Sequence, residues 1–160
     1  MTHRQIIKEW LGKLNVDGKL VIDWGSGSKP AFRYLGSHKG STFITIDNAK
    51  GIPEDRRAKT HFVLDIQQPT FLVYAEVAFC LEVLEHVERP DHVLNNIYRN
   101  LLPGGKLYLS APFKYEIHAE EDYWRFTKHG IRLLLERNGF TVDSINDTID
   151  ELGYIVEAHV

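Results

Sequence analysis

The sequence is short of cysteine. Cys80 is alone among 160 residues, so no internal disulfide can form, and a reducing compartment, the cytoplasm, is expected. Basic residues are not in excess. Nineteen Lys and Arg against 22 Asp and Glu leave a net charge of −3, which supplies no general attraction to nucleic acid. Long apolar runs are missing too. The longest apolar region, Phe71 to Leu84, is broken by Glu76 and Glu82 and is too short and too charged to span a bilayer. The polar start, Met1 to Gln5, is not followed by the apolar core of a secretory signal. There are no internal repeats, low-complexity tracts or Ser/Pro linkers. What is present is ordinary, 43% apolar and 26% charged residues. The length predicts a single domain over 1–160, with an N-terminal helix and turn over 1–18 and a core over 19–160.

Periodicity supplies the element order. Ile6, Ile7, Trp10, Leu11 and Leu14 repeat at helical spacing within Thr2 to Leu14. Lys19 to Asp23, Thr42 to Asp47, His61 to Ile66, Val77 to Leu81 and Lys106 to Ser110 read as strands, and Pro30 to Leu35 as the start of a short helix. Gly51 to Thr60, with Arg56, Arg57 and Lys59, reads as a solvated charged loop, and Gln67 to Glu76 fits no single pattern. Pro90 to Leu102 is predicted helical and stopped by Pro103-Gly104-Gly105. A second helix is expected over Thr127 to Asn138, with Thr127 as N-cap and Gly139 as stop. Phe140 to Ile145 and Tyr154 to Val160 complete the chain as strands, with a hairpin as one arrangement. Strands alternating with helices predict an open, mostly parallel α/β sheet covered on both faces, with ligands at the carboxyl ends of its strands.

One loop sits at such an end. Val21-Ile22-Asp23-Trp24-Gly25-Ser26-Gly27-Ser28-Lys29-Pro30 runs from a buried strand into a glycine-rich turn, where a cofactor can approach bare backbone. A dinucleotide fingerprint would need a small residue where Pro30 stands, which argues against a nicotinamide-dependent oxidoreductase. The pattern is instead D-x-G-x-G. Asp47 ends the second predicted strand, where an acid can bind ribose hydroxyls, and Asp65 with Ile66 ends the third, where an acid and an apolar neighbour can hold adenine. An acid after a strand is more often a cap or turn former, so the argument rests on the set.

The D-x-G-x-G loop resembles the first motif of class I S-adenosylmethionine-dependent methyltransferases. Phe79-Cys80-Leu81-Glu82-Val83-Leu84-Glu85-His86-Val87 looks like their motif after strand 4, and Leu101-Leu102-Pro103-Gly104-Gly105-Lys106-Leu107 like their turn into strand 5. The likeness covers about Val21 to Phe140 and is nearest the small type 11 branch, of the ubiquinone-biosynthesis type. It implies a Rossmann-like, doubly wound, mostly parallel seven-stranded sheet with an antiparallel C-terminal strand. It also implies S-adenosyl-L-methionine as cofactor and S-adenosyl-L-homocysteine as product. Asp23, Gly25, Ser26 and Gly27 would hold the methionine end, Asp47 and Asn48 the ribose, Asp65 and Ile66 the adenine, and Leu81 and Glu82 the floor beneath the sulfonium. Gln68-Pro69-Thr70-Phe71 and Ala75-Glu76-Val77 depart from that branch, which carries a Pro-Phe run and a Phe-Asp pair there.

The segment Pro112 to Phe126 is long for a connection, which favours function. Its H-x(3)-D-Y-x-R-F-T run is similar to one found in the same branch. His118 is the first candidate for a base, since histidine titrates near neutral pH, with Tyr123 beside it. His86, Trp124 and Arg125 are candidates for the acceptor site, Arg125 as a grip for a carboxylate or phosphate. The plainer reading has the aromatics covering the core and Asp122 paired with Arg125. No metal ligands are assigned, because His118, Glu120 and Asp122 lack a second histidine in the loop. The expected activity is methyl transfer to an oxygen or nitrogen of a small-molecule or polymer-end acceptor. The alternatives are a methyltransferase-like scaffold without catalysis and the nicotinamide-dependent oxidoreductase.

Overall fold

The computed structural model describes residues 2–28, 30–48 and 61–160, without the side chain of His61. The charged segment over 51–60 lies outside the described residues. Seven strands form one sheet: β1 (Leu20–Trp24), β2 (Thr42–Asp47), β3 (His61–Val63), β4 (Ala75–Leu81), β5 (Leu101–Pro112), β6 (Thr141–Asp147) and β7 (Gly153–His159). Their order is β3-β2-β1-β4-β5-β7-β6. The first five run parallel, and β7 lies antiparallel between β5 and β6.

Alternation along the strands splits the core in two. Val21, Val77, Phe79 and Tyr108 face Ile7, Trp10 and Leu11 of α1 (His3–Leu11). Ile22, Trp24, Ala78, Cys80, Leu107 and Leu109 face the opposite way. There they meet Val93, Leu94 and Ile97 of α2 (Pro90–Arg99) and Ile131 and Leu135 of α3 (Lys128–Arg137). Full burial of each such aliphatic side chain contributes about 1.5–3 kcal/mol. Helices therefore cover both faces. None among the described residues is long and apolar enough to cross a membrane.

Local chemistry explains where elements start and stop. Thr2 caps α1 by a capping box with Gln5, and Thr127 Oγ1 accepts from Gly130 N at 3.0 Å to cap α3. Gly139 follows α3 at φ +94. Several boundaries differ from those expected. Pro30 to Leu35 holds only a 3₁₀ turn, Ala31–Arg33. The third strand stops at Val63, because Asp65 turns the chain by accepting from Gln67 N at 3.0 Å. The helix expected to reach Leu102 ends at Arg99, and Pro103-Gly104-Gly105 lies inside β5, where the pairing with β4 shifts register.

The unreadable stretch after Ile66 has no helix; Asn96 of α2 and Asn100, just past its end, organise it. Asn96 Nδ2 donates to Ile66 O at 2.8 Å and Gln68 O at 2.7 Å, and Asn96 Oδ1 accepts from Thr70 N at 3.1 Å. One turn on, Asn100 Oδ1 accepts from Leu72 N at 2.8 Å and its Nδ2 donates to Thr70 O at 2.9 Å. Side-chain amides thus satisfy backbone that a helix would have satisfied itself.

Candidate cofactor and acceptor site

The parallel strands deliver their carboxyl ends to one edge of the sheet. Gly25, Asn48 and Glu82 each follow the last residue of β1, β2 and β4. A cavity of about 560 Å³ opens there, bordered by Gly25, Asp47, Asn48, Asp65, Ile66, Glu82, His86 and Tyr123. Asn48, Glu82 and Tyr123 thus join Asp47 and Asp65, two of the three acids read at strand ends.

The glycine loop is built for close approach. Gly25 takes φ +71, and a Cβ there would lie 2.5 Å from Val83 Cγ2. Gly25 N and Ser26 N donate to Ile46 O at 2.8 and 3.0 Å, which folds the loop over the end of β2. Gly27, at φ +54, donates its N–H to Asp47 Oδ2 at 2.9 Å. Asp23, Ser26 and Gly27 do not border the cavity; they shape the loop from behind. Asp23 is buried, and its Oδ2 accepts from Ala31 N at 2.6 Å. Burial pushes its carboxyl up to about 7, against the Ala31 bond, with the nearby Asp47 charge adding to the rise.

Glu82 sits at φ +55, a left-handed conformation that costs a non-glycine residue about 1–3 kcal/mol. Its Oε2 lies 3.0 Å from Nε2 of the buried His3, whose Nδ1 lies 2.9 Å from Thr148 Oγ1. The first helix thus reaches under the cavity floor, a role that nothing in the local pattern around His3 signals.

Other expectations are corrected. Leu81 packs on the α1 side of the sheet, because side chains alternate along β4, and it does not border the cavity. Arg125 is not a free grip for an anion. Its guanidinium is used up by Asp122, the Tyr115 carbonyl at 3.2 Å, the Glu116 carbonyl at 3.0 Å and the Trp124 carbonyl at 2.8 Å. It straps residues 115–125 into one loop, and in turn holds the Asp122 carboxyl well below the usual carboxylate range. Trp124 donates Nε1 to Val87 O at 2.8 Å and borders a separate, mostly apolar cavity with Phe126 and Leu133.

His118 stands one residue back from the main cavity, its Nε2 3.1 Å from Nε2 of His86. His86 belongs to a 3₁₀ turn, Leu84–His86, and its Nδ1 lies 2.5 Å from Glu121 O. Glu85, in the same turn, is fully buried, and neither carboxylate oxygen has a hydrogen-bond partner among the described residues. Burial, together with the charge of Glu82, pushes its carboxyl well above the ordinary range. Glu85, His86 and His118 offer ligand atoms within 4.8 Å of one another, the set among the described residues that can hold a metal ion. Sequence reasoning missed Glu85, whose only signal was its place beside His86 after a buried strand.

A strand order of 3-2-1-4-5-7-6 with a D-x-G-x-G loop at its switch point defines a class of transferases. The chain belongs to the methyltransferase-domain family, whose model matches residues 3–145. Among curated proteins it is 28% identical over 109 residues to the ubiquinone biosynthesis O-methyltransferase of Pseudomonas fluorescens, a match covering 62% of this chain. That match takes in 47% of the relative, so the chain spans about half the length of the curated relatives it matches. Among solved structures it superposes on a putative methyltransferase of Haloferax volcanii, solved in complex with the Trm112 activator. The TM-score is 0.76 at 20% identity, over 99% of this chain and 89% of that one. A second likeness is to 1,6-didemethyltoxoflavin-N1-methyltransferase of Burkholderia thailandensis, solved with its substrate and S-adenosylhomocysteine. There the TM-score is 0.69 at 17% identity, over 97% and 75% of the two chains.

Proposed function

We propose that the domain transfers the methyl group of S-adenosyl-L-methionine to an acceptor oxygen or nitrogen, oxygen being favoured by the names of the curated relatives. The observation that carries this reading is the junction of Gly25, Asp47, Asp65, Ile66 and Glu82 around one cavity at the strand ends. In this reading the bare backbone at Gly25 admits the methionine part, Asp47 and Asn48 take the ribose hydroxyls, and Asp65 and Ile66 flank the adenine. Glu82 lies beneath the sulfonium, whose positive charge the surrounding carboxylates favour.

Methyl transfer is an in-line displacement. The acceptor's lone pair forms the new bond to carbon as the carbon–sulfur bond breaks and its electrons return to sulfur. The donor is already activated, so the protein's work is alignment, exclusion of water and removal of the acceptor's proton. Tyr123 borders the cavity, on what this reading takes as the acceptor side. The His86–His118 pair, rather than His118 alone, promotes loss of the proton, because only His86 of the two borders the cavity.

The test is production of S-adenosylhomocysteine from S-adenosylmethionine across a panel of phenols, catechols and amines. At least one acceptor is expected to turn over, with His118→Ala lowering kcat about 10²–10⁴-fold at unchanged affinity for S-adenosylhomocysteine. Full binding with no turnover on any acceptor favours the non-catalytic binding module. Unchanged kcat in His118→Ala removes the pair from the mechanism.

A further inference from the structure

The Glu85–His86–His118 cluster poses a problem of unmatched acceptors. His86 Nδ1 faces the Glu121 carbonyl at 2.5 Å. His118 Nδ1 faces Asp122 Oδ2 at 3.1 Å and the Glu116 carbonyl at 3.3 Å. Carbonyls and ionised carboxylates only accept, so each Nδ1 carries a proton and each neutral ring presents its Nε2 lone pair. Those two lone pairs point at one another across 3.1 Å. The third member, Glu85, brings Oε1 to 3.6 Å from His86 Nε2 and is fully buried without a hydrogen-bond donor among the described residues. The two ring lone pairs and the Glu85 carboxyl converge, and no other group among the described residues supplies them a hydrogen-bond donor.

We propose that Glu85, His86 and His118 bind one divalent transition-metal ion, of zinc's kind. A tetrahedral ion with ligand bonds of about 2.0–2.1 Å sets its donor atoms about 3.4 Å apart. The 3.1 and 3.6 Å separations lie on either side of that value. Two imidazoles and a carboxylate match the ligand preference of zinc and its neighbours, not of magnesium or calcium, which favour oxygen throughout. The supporting contacts fit as well. Each metal-binding histidine is expected to donate its remaining N–H to a carbonyl or carboxylate that fixes the ring, and Glu121 O and Asp122 supply those acceptors. Arg125, bonded to Asp122, holds that outer layer in place.

Three protein ligands leave a fourth position on a tetrahedral ion for water or substrate. His86 borders the cofactor cavity, so the ion stands at the edge of the space where the acceptor must lie. This role, though not the binding itself, rests on the methyltransferase reading: the cation's charge favours the ionised form of an acceptor oxygen bound to it.

The experiment is titration of the chelator-stripped full chain with zinc alone by calorimetry, and with Co²⁺ alone by absorbance, where tetrahedral coordination gives intense visible bands. S-adenosylhomocysteine binding is measured on the same samples. One equivalent of zinc is expected per chain, with tetrahedral Co²⁺ bands. His118→Ala and Glu85→Gln should each weaken zinc at least tenfold while S-adenosylhomocysteine still binds. His118 is exposed, so its variant tests the site without touching the core. Absence of saturable zinc binding in the wild type, or binding that neither variant weakens, overturns the metal site. Failure to bind S-adenosylhomocysteine with zinc still bound would strike the methyltransferase reading and leave the metal site standing.

Discussion

Gly25 and Gly27 look alike in the sequence and differ in what surrounds them. Both have positive φ, but a Cβ at Gly25 would strike Val83, while one at Gly27 would meet nothing within 4 Å. Gly25→Ala is expected to destabilise the fold by about 1–3 kcal/mol through overpacking and strain, and to abolish S-adenosylhomocysteine binding. Gly27→Ala should cost only about 1–2 kcal/mol, from its backbone conformation. Equilibrium unfolding and calorimetric binding on the two variants check this, and equal losses would contradict it. Asp23 carries a pH signature. Its folded-state value, raised by burial to about 7, exceeds the ordinary 3.8, so the folded form binds the proton more tightly than the unfolded chain. The contribution of Asp23 to ligand-free stability is therefore greatest in acid. It falls as pH rises between those two values, by up to about 1.4 kcal/mol per pH unit, and is flat above them. Urea melts from pH 4 to 8, wild type minus Asp23→Asn, should show that slope; a difference that does not vary with pH would count against a buried carboxyl.

Among the elements, the segment after Ile66 decides whether the Asp65–Ile66 side of the cavity has a wall. It is held to the rest of the molecule by Asn96 of α2 and by Asn100 just past its end. Asn96→Ala leaves the Ile66 carbonyl and the Thr70 N–H without their side-chain partner, and the Gln68 carbonyl with the Thr70 hydroxyl alone. A loss of about 1–3 kcal/mol is expected, together with weaker S-adenosylhomocysteine binding although Asn96 is absent from the cavity wall. A stable variant with native affinity would show that the segment is held otherwise. This segment was illegible in the sequence for a physical reason: its order comes from asparagines at positions 96 and 100, distant along the chain. The loop strapped by Arg125 was half legible. The Asp122–Arg125 pair followed from their spacing, but that same pairing is what removes Arg125 from acceptor binding. Arg125→Ala is expected to make residues 113–127 more sensitive to limited proteolysis while S-adenosylhomocysteine still binds. Unchanged cleavage would deny Arg125 that strapping role.

For the molecule as a whole, the sheet and the presence of a cavity at the carboxyl ends of its strands could be read before the structure. Alternating apolar strands, a glycine loop after the first of them and Asp47 at the end of β2 are local signals that the structure keeps, whereas Asp65 lies in the turn two residues past β3. The side-chain contacts around that edge could not be read the same way. Glu82, His86 and His118 could be picked out singly, but the contacts of His118 with His86 and of the buried His3 with Glu82 join residues distant along the chain. The central claim is that this edge binds S-adenosylmethionine. Thermal unfolding of the full chain with S-adenosylmethionine, S-adenosylhomocysteine and NAD in parallel tests it most directly. A ligand at 100 times its Kd adds about 2.7 kcal/mol, roughly 5–10 °C for a domain of this size. A rise of that order with the two sulfur ligands and none with NAD is expected. No rise with either sulfur ligand, or a rise with NAD alone, would contradict the account.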